Sequence, residues 1–469
     1  MISAVPHQQL PPTEISGRRV EEAFLKDYRI VDTARDSSGI DRQPRVHIYS
    51  DTFVPAPNTH GAGLVICSQV QAFLDLGCEV EFVLIRTRED VSSLQPGHFK
   101  QLVYTVVDAR NDRPPRFARL AYLIGRPRIL AWQQLCPARG SLLREAEARY
   151  RKDGAAIHVF QRWRTANVIP SLPEARTIYA TYEIESELHA RSCAMNQELE
   201  KRRPHGWERR KQWRLSELER EAARSSGLVL CVAPEDAKRI VEEWSVPQAA
   251  YLPMSVAFGD LPIVAERDRV AGKLRLVHIG ALEHLPSYTS LEFLLTRVFP
   301  MLDADTVSRL KLEVAGRLDP DGAQTKAIME MARPYPMVRF SGFVDDIRTA
   351  YRRNDLQVVA STQATGLRTR IVESWAFGMP VLCTTVAAGG VQHLAPGRNI
   401  LVADDPRDFA RVLKELMHNP QRLDEIAAAA RQTYDAEHSR LAVATALREL
   451  LNTHFGLKLP PVALAEVSG

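Results

Sequence analysis

The chain has 469 residues, of which 45% are hydrophobic and 25% are charged. This length and composition predict two or three globular domains and exclude a fibrous or wholly disordered protein. No apolar run approaches the roughly 20 residues that cross a membrane, and the amino terminus lacks the pattern of a signal peptide. Six widely spaced cysteines without a CxxC pair argue against a zinc site or a disulfide framework, so we expect a cytoplasmic protein.

The net charge of +4 is unevenly distributed, because residues 109–152, here called the basic stretch, hold eleven Arg or Lys and three Asp or Glu. This stretch is either a set of solvated helix faces or a surface for anionic lipid or a phosphate-bearing acceptor. The second interpretation implies peripheral association with the inner face of a membrane. No recognition motif accompanies the charge, so nucleic acid is not an expected partner.

Residues 1–44 are polar, which predicts an extension that is partly disordered or lies over the first domain. A β-branched run starts at Arg45 and is followed by a glycine-containing loop, a helix ending near Gly77 and a second strand. This order is a βαβ unit, which implies a parallel sheet. Further strands of the first half are predicted at 102–107, 156–160, 177–181 and 228–232. A long charged helical stretch at 186–225 is predicted to break at Pro204 and Gly206.

A second βα series begins near residue 273 with LRLVHIG and continues through LKLEVAG, VRFSGF, DLQVVAS, PVLCTT and NILVA. Two successive series of this kind predict an α/β protein with two Rossmann-like domains. We place these domains at 45–262 and 263–440, and a carboxyl-terminal helix and tail near the domain junction at 441–469.

The loop STQATGLRT follows the predicted strand DLQVVAS, and a helix is predicted to begin at about Thr369. Ligands of open parallel sheets bind beyond the carboxyl ends of strands, and a helix N-terminus suits a diphosphate. Gly366 lets the backbone approach a ligand closely, and Arg368 and Arg370 add forked positive charge. Glu373 lies on the same helix face as Arg370, where it either accepts both hydroxyls of a ribose or forms a surface ion pair.

Two Asp-x-Asp pairs, Asp303–Asp305 and Asp319–Asp321, have the spacing of a divalent cation site. Both follow elements of the Rossmann series and lie in loops. We therefore interpret them as loop residues and expect no metal.

The segment TGLRTRIVESWAFGMPVLCTT resembles the donor-site signature of family 4 glycosyltransferases: a glycine loop, a basic residue three before a Glu, a small-residue helix and Gly-x-Pro-Val. VRFSGFVDDIRTAYRRNDLQVVAS and GGVQHLAPGRNILVADDPRDFARVL resemble the segments on either side of it. The resemblance is strong over 273–435 and weaker over 45–90 and 155–255. It implies the GT-B fold, in which two Rossmann-like domains face each other across a cleft.

The resemblance also implies roles for individual residues. The residues that it assigns to the donor are Gly61, Gly63, Gly280, Arg317, Thr365, Gly366, Leu367, Arg368, Arg370 and Glu373. The two glycines of the first half can equally be a simple turn before a helix. The candidate catalytic residues are His158, expected near the carboxyl end of its strand, and Glu183. His158 is otherwise a polar residue at the sheet edge, and Glu183 is otherwise the charge of a helix N-terminus.

The implied activity is transfer of a sugar from a nucleoside diphosphate sugar to the hydroxyl of a polysaccharide, lipid-linked or other glycan, with retention of configuration. No metal and no cofactor besides the donor substrate is expected. The chain departs from the family where Thr365 replaces a common Glu and where the interdomain segment reads LPMSVA without Asn or Gly. These departures support the alternative of a degenerate GT-B binding or scaffold subunit. A sugar-nucleotide epimerase of similar fold is a second alternative.

Overall fold

The computed structural model describes residues 43–56, 61–87, 99, 101–112, 136, 138–199, 206–256, 272–363 and 366–462. The predicted extension at 1–44 lies outside the described residues except for its last two positions. The predicted domain boundary at 262/263 and Thr365 also lie outside them.

A parallel sheet occupies the first half of the described chain. Its strands are β1 (Arg45–Ser50), β2 (Glu79–Arg86), β3 (Val103–Asp108), β4 (Ile157–Gln161), β5 (Arg176–Thr181), β6 (Leu228–Cys231) and β7 (Ala249–Tyr251). They lie in the order β3-β2-β1-β4-β5-β6-β7. The helices of this half are α1 (Gly61–Asp75), α2 (Arg139–Lys152), α3 (Arg162–Ala166), α4 (Glu185–Leu199), α5 (Gly206–Ser225) and α6 (Pro234–Trp244).

A second parallel sheet follows, in the order β10-β9-β8-β11-β12-β13. Its strands are β8 (Leu274–Ile279), β9 (Leu310–Ala315), β10 (Val338–Gly342), β11 (Leu356–Val359), β12 (Val381–Cys383) and β13 (Leu401–Val402). Its helices are α7 (Leu285–Phe293), α8 (Ala304–Arg309), α9 (Ala323–Ala332), α10 (Ile347–Arg353), α11 (Thr369–Ala376), α12 (Thr385–Ala388) and α13 (Pro406–His418). Two more helices, α14 (Gln421–Glu437) and α15 (Arg440–Phe455), complete the described chain. The predicted α/β fold with two Rossmann-like domains is confirmed.

Local sequence explains where the elements begin and end. The Asp405 side chain accepts the backbone N–H of Arg407 at the start of α13, and Pro406 occupies the first helical position, where no N–H is needed. Every residue of the central strands β4 and β11 is buried. Such complete burial is typical of strands in a parallel sheet that is covered on both faces.

The predicted strands are all present close to their predicted positions, and two features differ. The short strand β7 (Ala249–Tyr251) was missed, because three residues carry no periodicity. The single helix expected after β8 is divided into α7, a π-helical turn at Leu294–Val298 and a 3-10 turn at Phe299–Met301. Pro300 lacks the N–H that would continue the helix.

The two sheets share one hydrophobic core, to which α1, α11 and α15 contribute Phe73, Trp375 and Leu447. Helix α15 comes from the carboxyl-terminal end of the chain and packs against α1 of the first domain. An ion pair of 2.5 Å between Arg440 and Asp75 joins the same two helices. The end of the chain therefore ties the two domains together.

The chain order reverses once in each sheet, between β1 and β4 and between β8 and β11. The loops that follow strands on either side of such a reversal diverge and leave a crevice that binds ligands. The topology thus marks two sheet edges, one per domain, where a ligand is expected.

None of the helices that the structure describes has the length and hydropathy of a membrane-spanning segment.

Substitution of a buried residue in α15 tests how much the shared core contributes to the free energy of unfolding. Leu447 is completely buried, whereas Leu441 in the same helix is 47% exposed. We expect Leu447→Ala to reduce the free energy of unfolding by about 2–5 kcal/mol, because it leaves a cavity. Leu441→Ala is the matched control and is expected to change it by less than about 0.5 kcal/mol. Equal effects in urea denaturation would show that α15 is not part of a packed core.

Candidate functional site

The segment at 361–368 is here called the glycine loop, and the structure describes its residues 361–363 and 366–368. The first part follows β11, and the second part ends where α11 begins at Thr369. The glycine loop lies on the side of the second sheet where the chain order reverses. Gly366 has φ +61, which a residue with a side chain rarely adopts. A Cβ atom on Gly366 would lie 2.4 Å from the carbonyl oxygen of Tyr182 and 2.7 Å from Cβ of Glu183. The glycine loop of the second domain therefore rests directly on the segment after β5 of the first domain.

The amino ends of two helices meet at the same place. A Cβ atom on Gly61, the first residue of α1, would lie 2.8 Å from Oγ1 of Thr369, the first residue of α11. Neither helix has an acidic residue in its first turn. Each helix N-terminus carries a partial positive charge, so the two together form a favourable position for an anion.

The loops after β8 and β9 pack tightly beside this point. A Cβ atom on Gly280 would lie 2.1 Å from Oγ of Ser287, and one on Gly316 would lie 2.1 Å from the carbonyl oxygen of Gly280. Arg317 follows directly, and its carbonyl oxygen accepts the backbone N–H of Leu282. Arg317 and Arg368 both lie near enough to His284 to lower its pKa, after the larger effect of burial.

Arg370 and Glu373 lie together, as their spacing predicts. Nη1 of Arg370 donates to Oε2 of Glu373 at 2.5 Å, and the Tyr351 hydroxyl donates to the same oxygen at 3.1 Å. Only 3% of the Glu373 side chain is exposed, so this is a buried ion pair and not a surface pair. No sequence pattern pointed to Tyr351, which reaches the carboxylate from α10.

Arg368 and Glu183 face each other across the domain contact, with Nη2 of Arg368 4.0 Å from Oε2 of Glu183. Asp236, in the first turn of α6, lies near both. The pKa of Asp236 is raised to about 7, mainly by burial and next by the negative charge of Glu183. An acidic residue at this position is favoured by the positive end of the helix dipole.

The remaining predicted donor residues occupy different environments. Gly63 lies buried in α1, two residues after Gly61, so both glycines belong to a helix and not to a loop. The Leu367 side chain is buried in the core shared by the two domains. Leu367 therefore anchors the glycine loop in that core, and its contact with a donor stays a prediction.

His158 does not lie where the sequence predicted. It is the second residue of β4 (Ile157–Gln161) and therefore near the amino end of the strand. Its side chain is fully buried, and its Nδ1 lies 3.0 Å from the hydroxyl oxygen of Tyr49. Burial lowers the pKa of His158 to about 3. The prediction that it lies at the carboxyl edge is wrong, because three further residues of the strand separate it from that edge.

Arg162 is the residue that actually follows β4, and the sequence patterns did not single it out. Its φ of +68 is unusual for a residue with a side chain, and its guanidinium forms an ion pair with the buried Glu185. The guanidinium also lies 4.9 Å from the ring centre of Phe53. The signal in the sequence was the run RWR directly after a buried strand, since a basic residue at that position lies at the ligand edge.

The interpretation of both Asp-x-Asp pairs as loop residues is wrong for the first pair, because Asp303 caps α8 and Asp305 lies in the first turn of that helix. Asp319 and Asp321 do lie in the loop before α9. Asp303 accepts the backbone N–H of Thr306 and pairs with Lys414 at 2.7 Å, and Asp305 pairs with Arg309. Within the described parts of the chain, no group of three or more His, Cys, Asp or Glu side chains is arranged to hold a metal ion.

The basic stretch is described only in part, because residues 113–135 and 137 lie outside the described residues. Arg110 donates to both carboxylate oxygens of Asp108, and Arg149 donates to both of Glu81. Membrane association of this stretch stays a prediction.

Two glycine substitutions separate backbone strain from the contact between the domains. Gly366 and Gly342 both have left-handed φ, of +61 and +69, but of these two only Gly366 would bring an added Cβ atom within 4 Å of other atoms. We expect Gly342→Ala to lower the free energy of unfolding by roughly 1–2 kcal/mol through strain alone. Gly366→Ala should lower it by more, because it must also separate the glycine loop from Tyr182. Equal losses in chemical denaturation would contradict the close domain contact.

Similarity to known proteins agrees with this geometry. Residues 273–419 match the family described as Glycosyl transferases group 1. No curated protein sequence matches the chain.

Several solved structures share its architecture over most of its length. Sucrose-phosphate synthase from Thermosynechococcus elongatus aligns with a TM-score of 0.64 at 15% identity, over 88% of this chain and 100% of that one. Anabaena Alr3699/HepE in complex with UDP and glucose aligns with a TM-score of 0.62 at 14% identity, over 87% of this chain and 99% of that one. A TarM mutant of S. aureus in complex with fondaparinux, alpha-GlcNAc-glycerol and UDP aligns with a TM-score of 0.61 at 10% identity, over 87% and 100%.

At these identities the structural neighbours establish the fold alone. The family match covers residues of the second domain. Residues 273–419 are thus similar to the group 1 glycosyltransferases, and the chain has the GT-B fold.

Proposed function

We propose that the protein transfers a sugar from a nucleoside diphosphate sugar to an acceptor hydroxyl. The observation that carries the proposal is the meeting of the α1 and α11 amino ends, where Gly61 approaches Thr369. Arg368 and Arg370 bracket the first residue of α11. Helix N-termini and guanidinium groups are common partners of phosphate oxygens, so this point suits the diphosphate of a donor.

Glycosyl transfer requires that the charge of the leaving diphosphate be stabilised, and these positive groups would do so. The bond between the anomeric carbon and the diphosphate oxygen breaks, and its electron pair stays on the diphosphate. Fixed positive groups stabilise this developing charge without reorganisation, which is commonly the largest contribution to catalysis. The acceptor oxygen forms the new bond to the anomeric carbon, and Glu183 is the carboxylate that we assign to the departing proton. Retention of configuration belongs to the proposal and rests on the family resemblance.

Glu373 is assigned to the ribose of the donor. Arg370 and the Tyr351 hydroxyl both donate to its Oε2, which fixes the orientation of the carboxylate. We assign its Oε1 to the ribose hydroxyls. Arg370 would then link the ribose site with the diphosphate site, because it lies in the first turn of α11.

The structural neighbours support the choice of a nucleotide donor. The HepE structure is a complex with UDP and glucose, and the TarM structure is a complex that includes UDP. We propose a glycan or lipid-linked glycan as acceptor. Association of the basic stretch with an anionic membrane would bring a lipid-linked acceptor to the site.

One sequence feature favours a second candidate, a binding or scaffold subunit without transferase activity. Thr365 stands where many family members have a Glu that contacts the transferred sugar. Such a subunit would bind the nucleotide and release no product.

Donor binding can be measured with a thermal-shift panel of UDP, GDP, ADP and CMP sugars. We expect one nucleotide class to raise the melting temperature, because the folded state alone has the site. Release of nucleoside diphosphate on addition of an acceptor would identify a transferase. Stabilisation without acceptor-dependent release would favour the scaffold, and no stabilisation by any sugar nucleotide would contradict the proposed donor site.

Arg370→Ala and Arg368→Gln are the matching variants, each expected to weaken nucleoside diphosphate binding by about tenfold to a hundredfold through the loss of a charge-assisted hydrogen bond. Arg370→Ala also leaves Glu373 buried without its cation, so circular dichroism must show that the variant is folded. Arg411→Ala is the control, because Arg411 lies in α13 with 58% of its side chain exposed. Unchanged affinity in both site variants would contradict the assignment of the glycine loop to the donor diphosphate.

A further inference from the structure

Gln161 is the last residue of β4 and lies between the two segments of the first domain that touch the second domain. Helix α1 follows β1, Tyr182 follows β5, and β4 lies between these two strands in the sheet. Only 1% of Gln161 is exposed, and the proposed function gives this residue no role. A side chain at the end of the middle strand can contact the elements that follow both neighbouring strands.

The Gln161 amide forms a hydrogen bond with each of these elements. Its Oε1 accepts the hydroxyl of Tyr182 at 2.7 Å, and its Nε2 donates to Oε1 of Gln69 in α1, also at 2.7 Å. The two bonds need an acceptor and a donor on one group, which a carboxamide provides. Gln161 therefore joins α1 to the segment around Tyr182 by two short hydrogen bonds.

The same two segments contact the glycine loop and the start of α11. Tyr182 touches Gly366 through its carbonyl oxygen, and Gly61, the first residue of α1, approaches Thr369. Gly366 and Thr369 are only three residues apart in the second domain. Their partners in the first domain must keep a matching separation, because a shift of either partner would open one of the two contacts. The Gln161 amide bridges that separation.

The backbone of Gln161 is itself fixed. It is paired with Ala180 of β5 in the parallel sheet, and its carbonyl oxygen accepts the hydroxyl of Thr165 in α3 at 2.6 Å. Hydrogen bonds on the main chain and burial of the side chain together leave the amide one position. Gln161 is therefore a rigid link and not a mobile polar side chain.

The stability of the fold does not explain this pair of amides. Gln69 is 2% exposed, and its Nε2 is buried without a hydrogen-bond partner among the described residues. An unpaired buried donor is costly, and two apolar side chains of the same shape would avoid that cost. The polar pair is therefore better explained by the position that it gives to α1 and Tyr182.

Helix α1 is also tied to the segment that leads into the second domain. Oγ of Ser68, the neighbour of Gln69, accepts the backbone N–H of Ser255 at 2.8 Å. The Tyr434 hydroxyl of α14 accepts the backbone N–H of Val256 at 2.9 Å. A displacement of α1 would therefore disturb the connection between the domains as well as the contact with α11.

We infer that Gln161 is a positioning residue for the donor, because it holds α1 and Tyr182 at the separation that the glycine loop and α11 require. The inference rests on the proposed function for the identity of the ligand, since the donor diphosphate is assigned to the amino end of α11. Gln161 acts through Gly61 and Tyr182 and is assigned no contact with substrate. Without its amide, the two contacts no longer form together, and the positive ends of α1 and α11 separate.

Hydrogen exchange of the ligand-free full chain measures this effect without any nucleotide. Gln161→Met keeps the approximate volume and removes both hydrogen bonds, whereas Tyr182→Phe removes only the hydroxyl. We expect each variant to speed amide exchange at residues 366–371 by about five- to tenfold, the effect of losing one hydrogen bond. Tyr49→Phe is the matched control, since its buried hydroxyl lies 3.0 Å from Nδ1 of His158 and not at the domain contact.

The double variant shows whether the two side chains act as one link. In Gln161→Met the Tyr182 hydroxyl has already lost its acceptor, so the addition of Tyr182→Phe should speed exchange no further. Unchanged exchange in Gln161→Met, an equal effect of Tyr49→Phe, or additive effects of the two substitutions would overturn the inference.

Nucleotide affinity separates positioning from general stability. UDP, GDP and ADP are titrated by calorimetry, and Gln161→Met should weaken binding of the one that the wild-type chain binds by about five- to tenfold. Adding Gln69→Met removes the amide left without its partner, and it should restore the melting temperature but not the affinity. Recovery of both together would show that Gln161 only stabilises the fold. If none of the three binds to the wild-type chain, the proposed function fails, and exchange at residues 366–371 still decides the role of Gln161.

Discussion

The contact between the glycine loop and the first domain is the constraint on which the site depends. Gly366 lies so close to the backbone of Tyr182 that no side chain fits between them. This contact brings the amino end of α11 to that of α1, although the two helices belong to different sheets. Each helix alone is an ordinary element of a Rossmann-like domain. Their meeting produces a positive site that neither domain has alone.

The charges around this contact are arranged in two sets. On the second domain, Arg370 is held by the buried Glu373, and Arg368 faces the first domain. On the first domain, Glu183 and Asp236 provide negative charge opposite Arg368. An anionic donor would therefore enter between cations of one domain and carboxylates of the other. In the proposed reaction, such a preorganised field would stabilise the departing diphosphate.

Much of the fold and part of the candidate site could be predicted from the sequence, because these features depend on short-range patterns. Strand and helix periodicity predicted both sheets, and the spacing of Arg370 and Glu373 predicted that they share a helix face. The position of His158 was wrong because strand ends are set by tertiary hydrogen bonds that periodicity does not report. Arg162 was missed because its left-handed backbone follows from packing against Glu185 and Phe53.

The contact of Gly366 with Tyr182 joins residues from two domains, so no local pattern of the sequence could predict it. The excess of charge in the basic stretch is visible in the sequence, but the ion pairs of Arg110 with Asp108 and of Arg149 with Glu81 are not. Long-range geometry thus decides which of several plausible cations form a site.

Hydrogen exchange in the presence of a nucleoside diphosphate tests most directly whether the donor binds where the two helices meet. If it does, backbone amides of residues 61–63 and 366–371 should both exchange more slowly, because both helix N-termini donate to the diphosphate. Protection of both segments, lost in a variant lacking Arg368, is the predicted result. Protection of neither segment while the nucleotide is bound would contradict a donor site between α1 and α11.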